Sequence, residues 1–411
     1  MSRNVRVIGG FQTDFSKNWA REEKDLTALF TETLHGGLEA VHVNAGEIES
    51  AHVGNFTAEL FCDQGHLGGF FTAAAPEMAG TPAMRHEAAC ASGSMALLSA
   101  MSEIEAGRYD LVAVLGVEMM RNVPGAQAAA FIGSPALWAG RECIDVKYPW
   151  PHMFGKLGEE YERRYGLKRE HLSEISRINF ENAKRNPNSQ TRKWGFDEKS
   201  FTSDDEANPT IDGMIRKHDC SQITDGGTVV FLASDAKAAE IVARAGRTLS
   251  DAPRISGWGH KTAHIGLNEK LDESRDAEYV FPHVLAAILD MYRRAGIDGP
   301  AGVDGFEVHD CFTPTEYMAI DHLGITAPGE AWKAIEAGDV ALGGKSPINP
   351  SGGLIGCGHP VGATGVRMML DCWKQVTDRA GDYQVENAQR FGMLNLGGSA
   401  TTAAAFVLDK G

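Results

Sequence analysis

The sequence predicts an α/β protein of two similar halves, with a third domain inserted into the first half. Three observations predict this fold class: the length and composition, the continuously apolar character of the predicted strands, and a strand–loop–helix–strand pattern that occurs twice. The chain has 411 residues, of which 43% are hydrophobic and 47 are glycine. A chain of this length is expected to fold as two or three domains, and the glycines suit a fold with many close turns.

The first copy of the pattern lies in the N-terminal half. Residues 48–56 predict a strand that ends in a loop, residues 95–101 are small and apolar on all sides and predict a buried helix, and residues 110–116 predict the next strand. The chain returns to this half at 224–233, with a helix start and a final strand. Continuous apolar strands are typical of sheets that helices cover on both faces.

The second copy opens at residues 254–259. Residues 303–310 are again a strand that runs into a loop, and a glycine-rich turn follows at 352–365. A predicted helix within 362–374 and a strand near Met393 complete the copy. Two copies of one βα unit are expected to pack as a pseudo-symmetric pair.

The segment between the two parts of the first half has a different character. It has long predicted loops and the strongly polar amphipathic helices of the chain, at 158–165 and 170–183. This composition indicates an inserted loop domain. The predicted domains are residues 1–120 with 221–247, residues 121–220, and residues 248–411.

Charge and cysteine content exclude several classes of protein. A formal net charge of −16 argues against a nucleic-acid-binding protein, which needs a basic surface. No run of about 20 apolar residues predicts a membrane-spanning helix. The 7 cysteines form no CxxC pattern, so neither a disulfide framework nor a structural zinc site is predicted. We therefore expect reduced thiols and a cytoplasmic location.

Cys90 is the first candidate catalytic residue. It lies in the segment 86–94, where an extended run turns into the buried helix. A thiol at a helix N-terminus faces unpaired backbone N–H groups and the positive end of the helix dipole, and both favour the thiolate. The sequence therefore predicts a nucleophile at Cys90, with a buried structural cysteine as the alternative.

Two other segments supply the groups that such a nucleophile needs. His309 and Cys311 follow the apolar strand of the second half, and His359 lies in the glycine-rich turn before the last helix. An imidazole with a pKa near neutrality is the usual base that activates a thiol. Cys90 and His359 are thus expected to form a nucleophile–base pair.

Over nearly its whole length, the chain resembles the thiolases, and most closely their sterol-carrier-protein-type and archaeal-type branches. The segment His309-Asp310-Cys311-Phe312 stands where the biosynthetic thiolases carry Asn-Glu-Ala-Phe, and Asn395 stands where those enzymes keep a second catalytic cysteine. The thiol lost at one position reappears as Cys311. The resemblance implies the thiolase fold, two βαβαβαββ halves in α-β-α-β-α layers, with the helices after Cys90 and after His359 meeting at the centre.

The resemblance also implies an acyltransferase of fatty-acid and lipid metabolism that cleaves 3-oxoacyl-CoA with coenzyme A, or runs the reverse Claisen condensation, through an acyl-Cys90 intermediate. Coenzyme A is then a substrate, and no bound cofactor or metal is implied. His359 would take the proton of Cys90, and Cys311 would protonate the enolate. His359 and a water placed by His309 would hold the enolate oxygen, and the backbone N–H groups of Cys90 and Gly397 would hold the tetrahedral oxyanion.

Further residues and partners follow from the same resemblance. His152 and Met153 are similar to the His-Met pair of the pantetheine tunnel, although Phe154 separates Met153 from Gly155, and Ser256 is similar to the serine that binds the pantetheine amide. The family is homodimeric or homotetrameric. Some relatives work with a small zinc-ribbon partner protein, and others transfer acetyl groups to acceptors other than coenzyme A.

Three alternatives stay open on the sequence. A decarboxylative ketosynthase uses one cysteine and two histidines, which Cys90, His309 and His359 satisfy, although it needs no second thiol. A zinc site of His309, Cys311, Cys357 and His359 is also compatible with their i, i+2 spacing. The third alternative is a thiolase-like scaffold without activity, against which the intact Cys90 argues.

Overall fold

The computed structural model describes residues 3–410. Its strands are β1 Val5–Gln12, β2 Ser50–Gly54, β3 Ala83–His86, β4 Leu111–Glu118, β5 Thr210–Asp212, β6 Ile215–Arg216, β7 Gly226–Ser234, β8 Arg254–Thr262, β9 Phe306–Val308, β10 Arg390–Gly397 and β11 Thr402–Asp409. Its α-helices are α1 Leu26–Val41, α2 Ala58–Cys62, α3 Phe70–Ala74, α4 Ser92–Glu105, α5 Gly125–Gly133, α6 Pro149–Tyr165, α7 Arg169–Arg185, α8 Asp235–Arg244, α9 Leu267–Glu273, α10 Pro282–Ala295, α11 Thr313–His322, α12 Ala331–Glu336 and α13 Thr364–Val376.

Nine strands form one mixed sheet in the order β3-β2-β4-β7-β1-β8-β11-β10-β9. A single residue pair, Arg6 with Arg254, joins its two parts through β1 and β8. Within each part, the strands at one end pair in parallel, β2 with β3 and β4, and β9 with β10, and the others pair antiparallel. The nine strands thus divide into the two halves that the sequence predicts.

The two halves have the same topology. In chain order, the first half contributes β1, β2, β3, β4 and β7, and the second contributes β8, β9, β10 and β11, arranged in mirrored order along the sheet. The counterpart of β3 is reduced to one parallel bridge between Phe306 and Ile348. The internal repeat is therefore confirmed, with one strand shortened. Residues 226–234 form strand β7 throughout, so the helix expected to start near 224 begins only at Asp235, after the strand.

Helices cover both faces of each half. Helices α4 and α13 lie between the halves, where Ala96, Leu97, Val366 and Met369 share a fully buried apolar cluster with strands of both. A second cluster lies under α1 on the outer face of the first half, and a third lies under α6, α10 and α11 on the outer face of the second. The burial of every residue of β4 follows from this coverage. The layers alternate α-β-α-β-α, as the sequence predicts.

The segment between β4 and β7 contains α5, α6, α7 and the hairpin β5–β6. Helix α7 packs on the turn 353–357 of the second half. Asn179, Asn182 and Asn186 lie on one face near the C-terminal end of this helix. Asn182 donates to the Asn349 carbonyl at 3.0 Å, and Asn186 donates to the Ser351 carbonyl at 3.0 Å. The inserted segment therefore supports the turn that leads to His359. The division into three domains stays a prediction.

No helix among residues 3–410 has the length and apolar character that a membrane-spanning helix requires.

Candidate active site

The fold brings Cys90, Cys311 and His359 to one cavity, with His309 next to Cys90 and His359. Cys90, His309 and His359 each offer one possible ligand atom, and these three atoms lie within 4.8 Å of one another. Cys311 lines the same cavity as Cys90 and His359. These residues are separated by as many as 269 positions in the chain, so only the packing of the two halves makes them neighbours.

Cys90 is held by a strained turn between β3 and α4. Ala89 has a φ of 50°, in the left-handed region that residues with a Cβ rarely adopt. The Ser92 hydroxyl donates to the Ala89 carbonyl at 2.6 Å and accepts from the Ala88 N–H at 3.0 Å, which closes the turn. The turn presents the sulfur to the cavity while α4 runs back into the core. Strain of this kind is common where a side chain must be aimed at a site.

The environment of Cys90 differs from the sequence-based expectation. Burial raises the pKa of the Cys90 thiol to about 12, although the backbone N–H of Gly398 donates to the sulfur and opposes the shift. The helix N-terminus was expected to favour the thiolate, but the largest effect on the Cys90 pKa is desolvation, which raises it, and Glu118 and Glu87 add to the rise. The resting group at neutral pH is therefore the thiol.

His359 is fixed by a hydrogen bond to the first turn of α13. The Thr364 hydroxyl donates to the Pro360 carbonyl at 3.1 Å, so its oxygen is free to accept from Nδ1–H of His359 at 2.7 Å. This leaves Nε2 of His359 as an unprotonated acceptor. Burial, and then the charge of Arg367, lower the pKa of His359 to about 3, so the ring is neutral. Its backbone N–H donates to the Thr224 hydroxyl at 2.8 Å, which ties the turn to the first half.

His309 stands at a right angle to His359, with ring centroids 5.4 Å apart and planes at 83°. The Asn395 amide donates to His309 Nδ1 at 3.0 Å. Burial is the main reason that the pKa of His309 is well below its usual value, and His359 and Arg367 lower it further. The other ring nitrogen, Nε2, is buried and has no hydrogen-bond partner.

Cys311 follows β9 and is 4% exposed. Burial and the nearby Cys90 raise the pKa of the Cys311 thiol well above its usual value, while the Thr315 hydroxyl, 3.8 Å from the sulfur, opposes the shift. The neighbouring Asp310 accepts from the backbone N–H groups of Leu354 at 2.6 Å and Ile355 at 3.1 Å. The segment that carries His309 and Cys311 is therefore tied directly to the turn that carries His359.

The two glycines after Leu396 have different surroundings. Gly397 ends β10 and packs so closely on the Cys90 turn that a Cβ would lie 2.2 Å from the Ala88 carbonyl oxygen. Gly398, with a φ of 63°, lines the cavity and donates its N–H to the Cys90 sulfur. The family resemblance predicts the Gly397 N–H as the oxyanion donor and does not indicate Gly398. Two adjacent glycines in a strand end were the available signal, and they cannot indicate which N–H faces the site.

The cavity that contains Cys90 has an empty volume of about 940 Å³, its open mouth included. Its walls are almost entirely apolar. The stacked rings of Phe154 and Phe312, 5.0 Å between centroids, form one wall. Other apolar wall residues are Phe56, Met120, Ile132, Trp150 and Val361. Several of these residues come from α5 and α6, so the inserted segment forms part of the wall.

The three residues expected to bind the pantetheine arm do not line this cavity. His152 is half-buried on α6 and pairs with Asp212 through Nδ1 at 2.9 Å. Met153 is 2% exposed and packs in the core of the second half. Ser256 lies within β8, and its hydroxyl donates to the Val407 carbonyl at 3.4 Å. Trp150, Pro151 and Phe154 of α6 line the cavity instead.

The four-residue zinc site considered on the sequence does not form among the described residues. Cys357 faces the core, where it accepts from Asn186 Nδ2 at 3.6 Å and Gln12 Nε2 at 3.8 Å. The cluster with suitable spacing for a metal in residues 3–410 is Cys90, His309 and His359, and it includes neither Cys311 nor Cys357.

Two family assignments cover the chain. Residues 5–236 match the thiolase N-terminal domain, and residues 269–410 match the thiolase C-terminal domain-like family. An acetyl-CoA acetyltransferase of Methanothermobacter thermautotrophicus is 32% identical over 410 residues, 99% of this chain and 100% of that protein. Sterol carrier protein 2 of Rattus norvegicus is 29% identical over 412 residues, 96% of this chain and 70% of that protein. Both branches of the predicted resemblance are therefore confirmed.

Solved structures show the same fold at lower identity. The Ltp2-ChsH2(DUF35) aldolase superposes with a TM-score of 0.77 at 17% identity, covering 99% of this chain and 97% of that one. Human mitochondrial 3-ketoacyl-CoA thiolase superposes with a TM-score of 0.71 at 18% identity, covering 99% of both chains. These structures share the fold of the chain. The two domain matches and the 32% identity to the acetyl-CoA acetyltransferase establish that the chain belongs to the thiolase family.

Proposed function

We propose that this protein is an acyltransferase that cleaves a 3-oxoacyl-CoA with coenzyme A, or forms it by the reverse Claisen condensation, through an acyl group on Cys90. The observation that carries the proposal is the meeting of two thiols, Cys90 and Cys311, with the base His359 in one apolar cavity. Thiolysis needs a nucleophile and a second proton-transfer group, and these side chains provide both.

In the first half-reaction, Cys90 attacks the 3-oxo carbon and His359 Nε2 accepts the thiol proton. Because burial keeps both groups neutral in the resting enzyme, the proton transfer accompanies the formation of the sulfur–carbon bond. The bond between C2 and C3 then breaks. The acyl group stays on Cys90, and the electron pair of the broken bond goes to the acetyl-CoA enolate. Cys311 then protonates this enolate at C2.

Two groups of donors stabilise the oxygens that become negative. The protonated His359 and a water placed by His309 hold the thioester enolate oxygen, and His309 Nε2 is available for this because it has no protein partner. The N–H groups of Cys90 and Gly398 hold the tetrahedral oxyanion at the former ketone, with Gly397 providing the close approach of β10. A single donor of this kind is worth about 10²–10³ in rate.

In the second half-reaction, coenzyme A enters in place of the first product. Cys311, deprotonated after it has protonated the enolate, accepts the proton of the coenzyme A thiol. The coenzyme A sulfur attacks the Cys90 thioester, and the Cys90 sulfur leaves with the proton from His359. The enzyme thereby returns to its starting protonation state, because Cys90 has regained its proton from His359 and Cys311 has taken one from coenzyme A.

The residues that line the cavity indicate how the substrate reaches Cys90, and they do not include His152, Met153 or Ser256. We infer that a pantetheine arm would reach Cys90 along the wall that Trp150, Pro151 and Phe154 contribute to the cavity. We therefore propose that this part of α6, next to His152 and Met153, contacts the pantetheine arm. We propose that Ser256 contributes to the hydrogen bonding of the sheet. A homodimer or homotetramer, a cytoplasmic location and lipid metabolism stay parts of the proposal.

A carbon–carbon lyase assisted by a partner protein is the second candidate, because the Ltp2-ChsH2(DUF35) aldolase shares the fold at the highest TM-score given above. An aldolase of this fold needs no acyl-enzyme and hence no counterpart of Cys90. The retained Cys90, Cys311 and His359 favour thiolysis. A small zinc-ribbon partner that delivers the acyl-CoA, or a non-CoA acetyl acceptor, is compatible with either chemistry.

The acyl-enzyme provides the direct test. The protein is mixed with 3-oxoacyl-CoAs of increasing chain length, and intact mass followed by peptide mapping locates the adduct. We expect one acyl group on Cys90, none in Cys90→Ala, and an unchanged adduct in the control Cys143→Ala, whose half-exposed thiol lies outside the cavity lining. An adduct on another residue, or turnover by Cys90→Ala, would refute the mechanism.

A further inference from the structure

We propose that Asn395 fixes the proton of His309 on Nε2, and that this single tautomer both supplies a donor to the substrate oxygen and denies a metal ion the cluster of Cys90, His309 and His359. The donor role rests on the proposed function, whereas the tautomer and the exclusion of metal belong to the resting protein. Asn395 is thus a positioning residue that acts through His309.

The cluster has the composition of a metal site. Two imidazoles and a thiol are the ligands that zinc prefers, and in some zinc enzymes one histidine and two cysteines suffice with a water. Here the three ligand atoms lie within 4.8 Å of one another, both histidines are buried, and Cys90 packs against an apolar cluster. A metal bound there would occupy the nucleophile, so an enzyme that uses Cys90 has a reason to prevent it.

The orientation of the Asn395 amide follows from its neighbours. Its nitrogen lies 3.2 Å from the backbone carbonyl oxygen of Cys90, which only accepts hydrogen bonds, so this atom is the NH₂ group. Its oxygen accepts from the Ser94 hydroxyl at 2.7 Å. One hydrogen of the NH₂ group therefore bonds Cys90, and the other points to Nδ1 of His309 at 3.0 Å.

This amide leaves His309 one neutral form. Because Nδ1 accepts from Asn395, it carries a lone pair, and the proton of a neutral imidazole must then be on Nε2. Nε2 is the buried atom without a partner in the described structure, in a side chain that is 1% exposed. A buried N–H without an acceptor costs free energy, which is recovered when a substrate oxygen or an ordered water accepts from it.

The second histidine is held in the opposite form. Thr364 accepts from Nδ1–H of His359, since the threonine hydrogen is used on the Pro360 carbonyl. His359 therefore offers a lone pair at Nε2, and His309 offers a hydrogen. Two perpendicular rings with opposite tautomers are the arrangement that a base and an electrophilic donor need.

The same arrangement opposes metal binding. A metal needs a lone pair on each ring, and His309 Nε2 has none unless its proton moves to Nδ1. There the new N–H would point at the NH₂ group of Asn395, donor against donor, in a buried site where an unsatisfied group is costly. Without a lone pair from His309, two ligands remain, Cys90 and His359. The neutral Cys90 thiol must also lose its proton before it binds a metal.

The test replaces the donor by an acceptor. In Asn395→Asp, the carboxylate accepts from Nδ1–H of His309 and moves the proton away from Nε2. Nitrogen NMR on protein labelled with ¹⁵N-histidine, with the His309 signals assigned by His309→Gln, reports the tautomer directly. We expect protonated Nε2 in the wild type and protonated Nδ1 in Asn395→Asp. A wild-type His309 with its proton on Nδ1 would overturn the proposal.

Zinc affinity gives the second readout. Zn²⁺ is titrated into the wild type and into Asn395→Asp at one pH, and occupancy is followed by protection of Cys90 from alkylation. We expect affinity to rise about tenfold or more in the variant, the scale on which groups behind metal ligands act. Asn395→Leu, which supplies neither donor nor acceptor, is the matched control and is expected to fall between them. Equal zinc affinity in the wild type and Asn395→Asp would also overturn the proposal.

Neither measurement uses an acyl-CoA. A protein that shows the expected tautomer but forms no acyl-Cys90 would disprove the function and leave the role of Asn395 intact. If Asn395→Asp does not fold, the wild-type spectrum still decides the tautomer, and Ser94→Ala, which removes the partner of the amide oxygen, is expected to give a mixture of the two tautomers.

Discussion

At the scale of single residues, the chemistry of the site depends on the competition between burial and hydrogen bonds. Cys90 accepts from the Gly398 N–H, and yet desolvation dominates and raises the thiol pKa to about 12. His359 is neutral for the same reason, with a pKa of about 3. A thiolate–imidazolium pair is therefore not the resting state of this site, and the reactivity of Cys90 is expected to require a bound substrate.

The pH dependence of Cys90 alkylation tests this state. Only the thiolate reacts with iodoacetamide, and below the thiol pKa its fraction rises about tenfold per pH unit. With the pKa raised to about 12, we expect the rate at Cys90, followed by peptide mass spectrometry, to climb steadily from pH 6 to about pH 9. A plateau that begins near or below pH 7 would contradict this, since it would reveal a preformed ion pair.

The hydrogen bond from His359 to Thr364 is expected to be needed for catalysis. Thr364→Val keeps the side-chain shape and removes the acceptor of Nδ1–H, so the ring is no longer held with Nε2 free. We expect kcat to fall about tenfold, a part of the 10²–10⁴ that a positioned acid–base group contributes, with little change in KM. Thr377→Val is the matched control, because Thr377 also bonds a carbonyl four residues back, that of Trp373, without a histidine. An equal loss in both variants would indicate a general effect on α13.

At the scale of elements, the turn between β10 and β11 aims the Gly398 N–H at Cys90. This turn is strained, with Ala400 at a φ of 59°. Lys270 of α9 holds it from outside, because its ammonium group donates to the Ser399 hydroxyl at 2.8 Å and the Thr401 hydroxyl at 2.9 Å. His283 of α10 lies 2.7 Å from the Ala400 carbonyl through Nε2. A helix that does not line the cavity therefore supports the turn whose Gly398 N–H is the proposed oxyanion donor.

Loss of the Lys270 contacts is expected to weaken this donor. Lys270→Met keeps the length of the side chain and removes four hydrogen bonds, two of them to the turn. We expect kcat to fall about tenfold, less than the 10²–10³ for complete loss of a donor. The alkylation rate of Cys90 should also fall, because the Gly398 N–H lowers the thiol pKa. Lys261→Met, which removes a partly exposed ion pair with Asp290, is the control expected to behave as the wild type.

At the scale of the whole molecule, the site exists because the two halves approach to backbone contact. The start of α4 packs on the start of α13 through glycines: a Cβ on Gly365 would lie 2.5 Å from the Ser94 nitrogen, and a Cβ on Gly93 would lie 2.9 Å from the Gly362 oxygen. Backbones this close leave no space for side chains. The distance between Cys90 and His359 is thereby set by the packing of two helices from different halves.

Gly365→Ala is expected to push these helices apart. Overpacking of a close contact costs about 1–3 kcal/mol, so the thermal unfolding midpoint should fall, measured by calorimetry or circular dichroism. The added Cβ would also lie 2.8 Å from Asn395 Oδ1, so activity should fall more than stability alone explains. Gly69→Ala is the control, since nothing lies within 4 Å of a Cβ there and the backbone needs no positive φ. A wild-type midpoint in Gly365→Ala would show that the halves tolerate separation.

Local sequence was sufficient to predict the repeat and the strands, and the family resemblance predicted the layers. Hydrophobic continuity indicated β4 and β7. The resemblance also predicted Cys90, Cys311 and His359, which line one cavity, and His309, which lies beside Cys90 and His359, while their catalytic roles stay predictions. Local sequence was insufficient to predict which groups surround those residues. Gly398, the three residues expected at the pantetheine arm and the direction of the Cys90 pKa shift all depend on which atoms other parts of the chain bring near.

The chain therefore encodes its elements and its chemistry in contiguous patterns, since periodicity and motif are properties of neighbours in sequence. The protonation state of Cys90, the tautomers of His309 and His359 and the orientation of Asn395 depend on contacts between residues up to about 300 positions apart, such as Ser94 with Asn395. Desolvation and hydrogen bonding act through space at a few ångströms. They are consequently undefined until the two halves have packed around their shared helices.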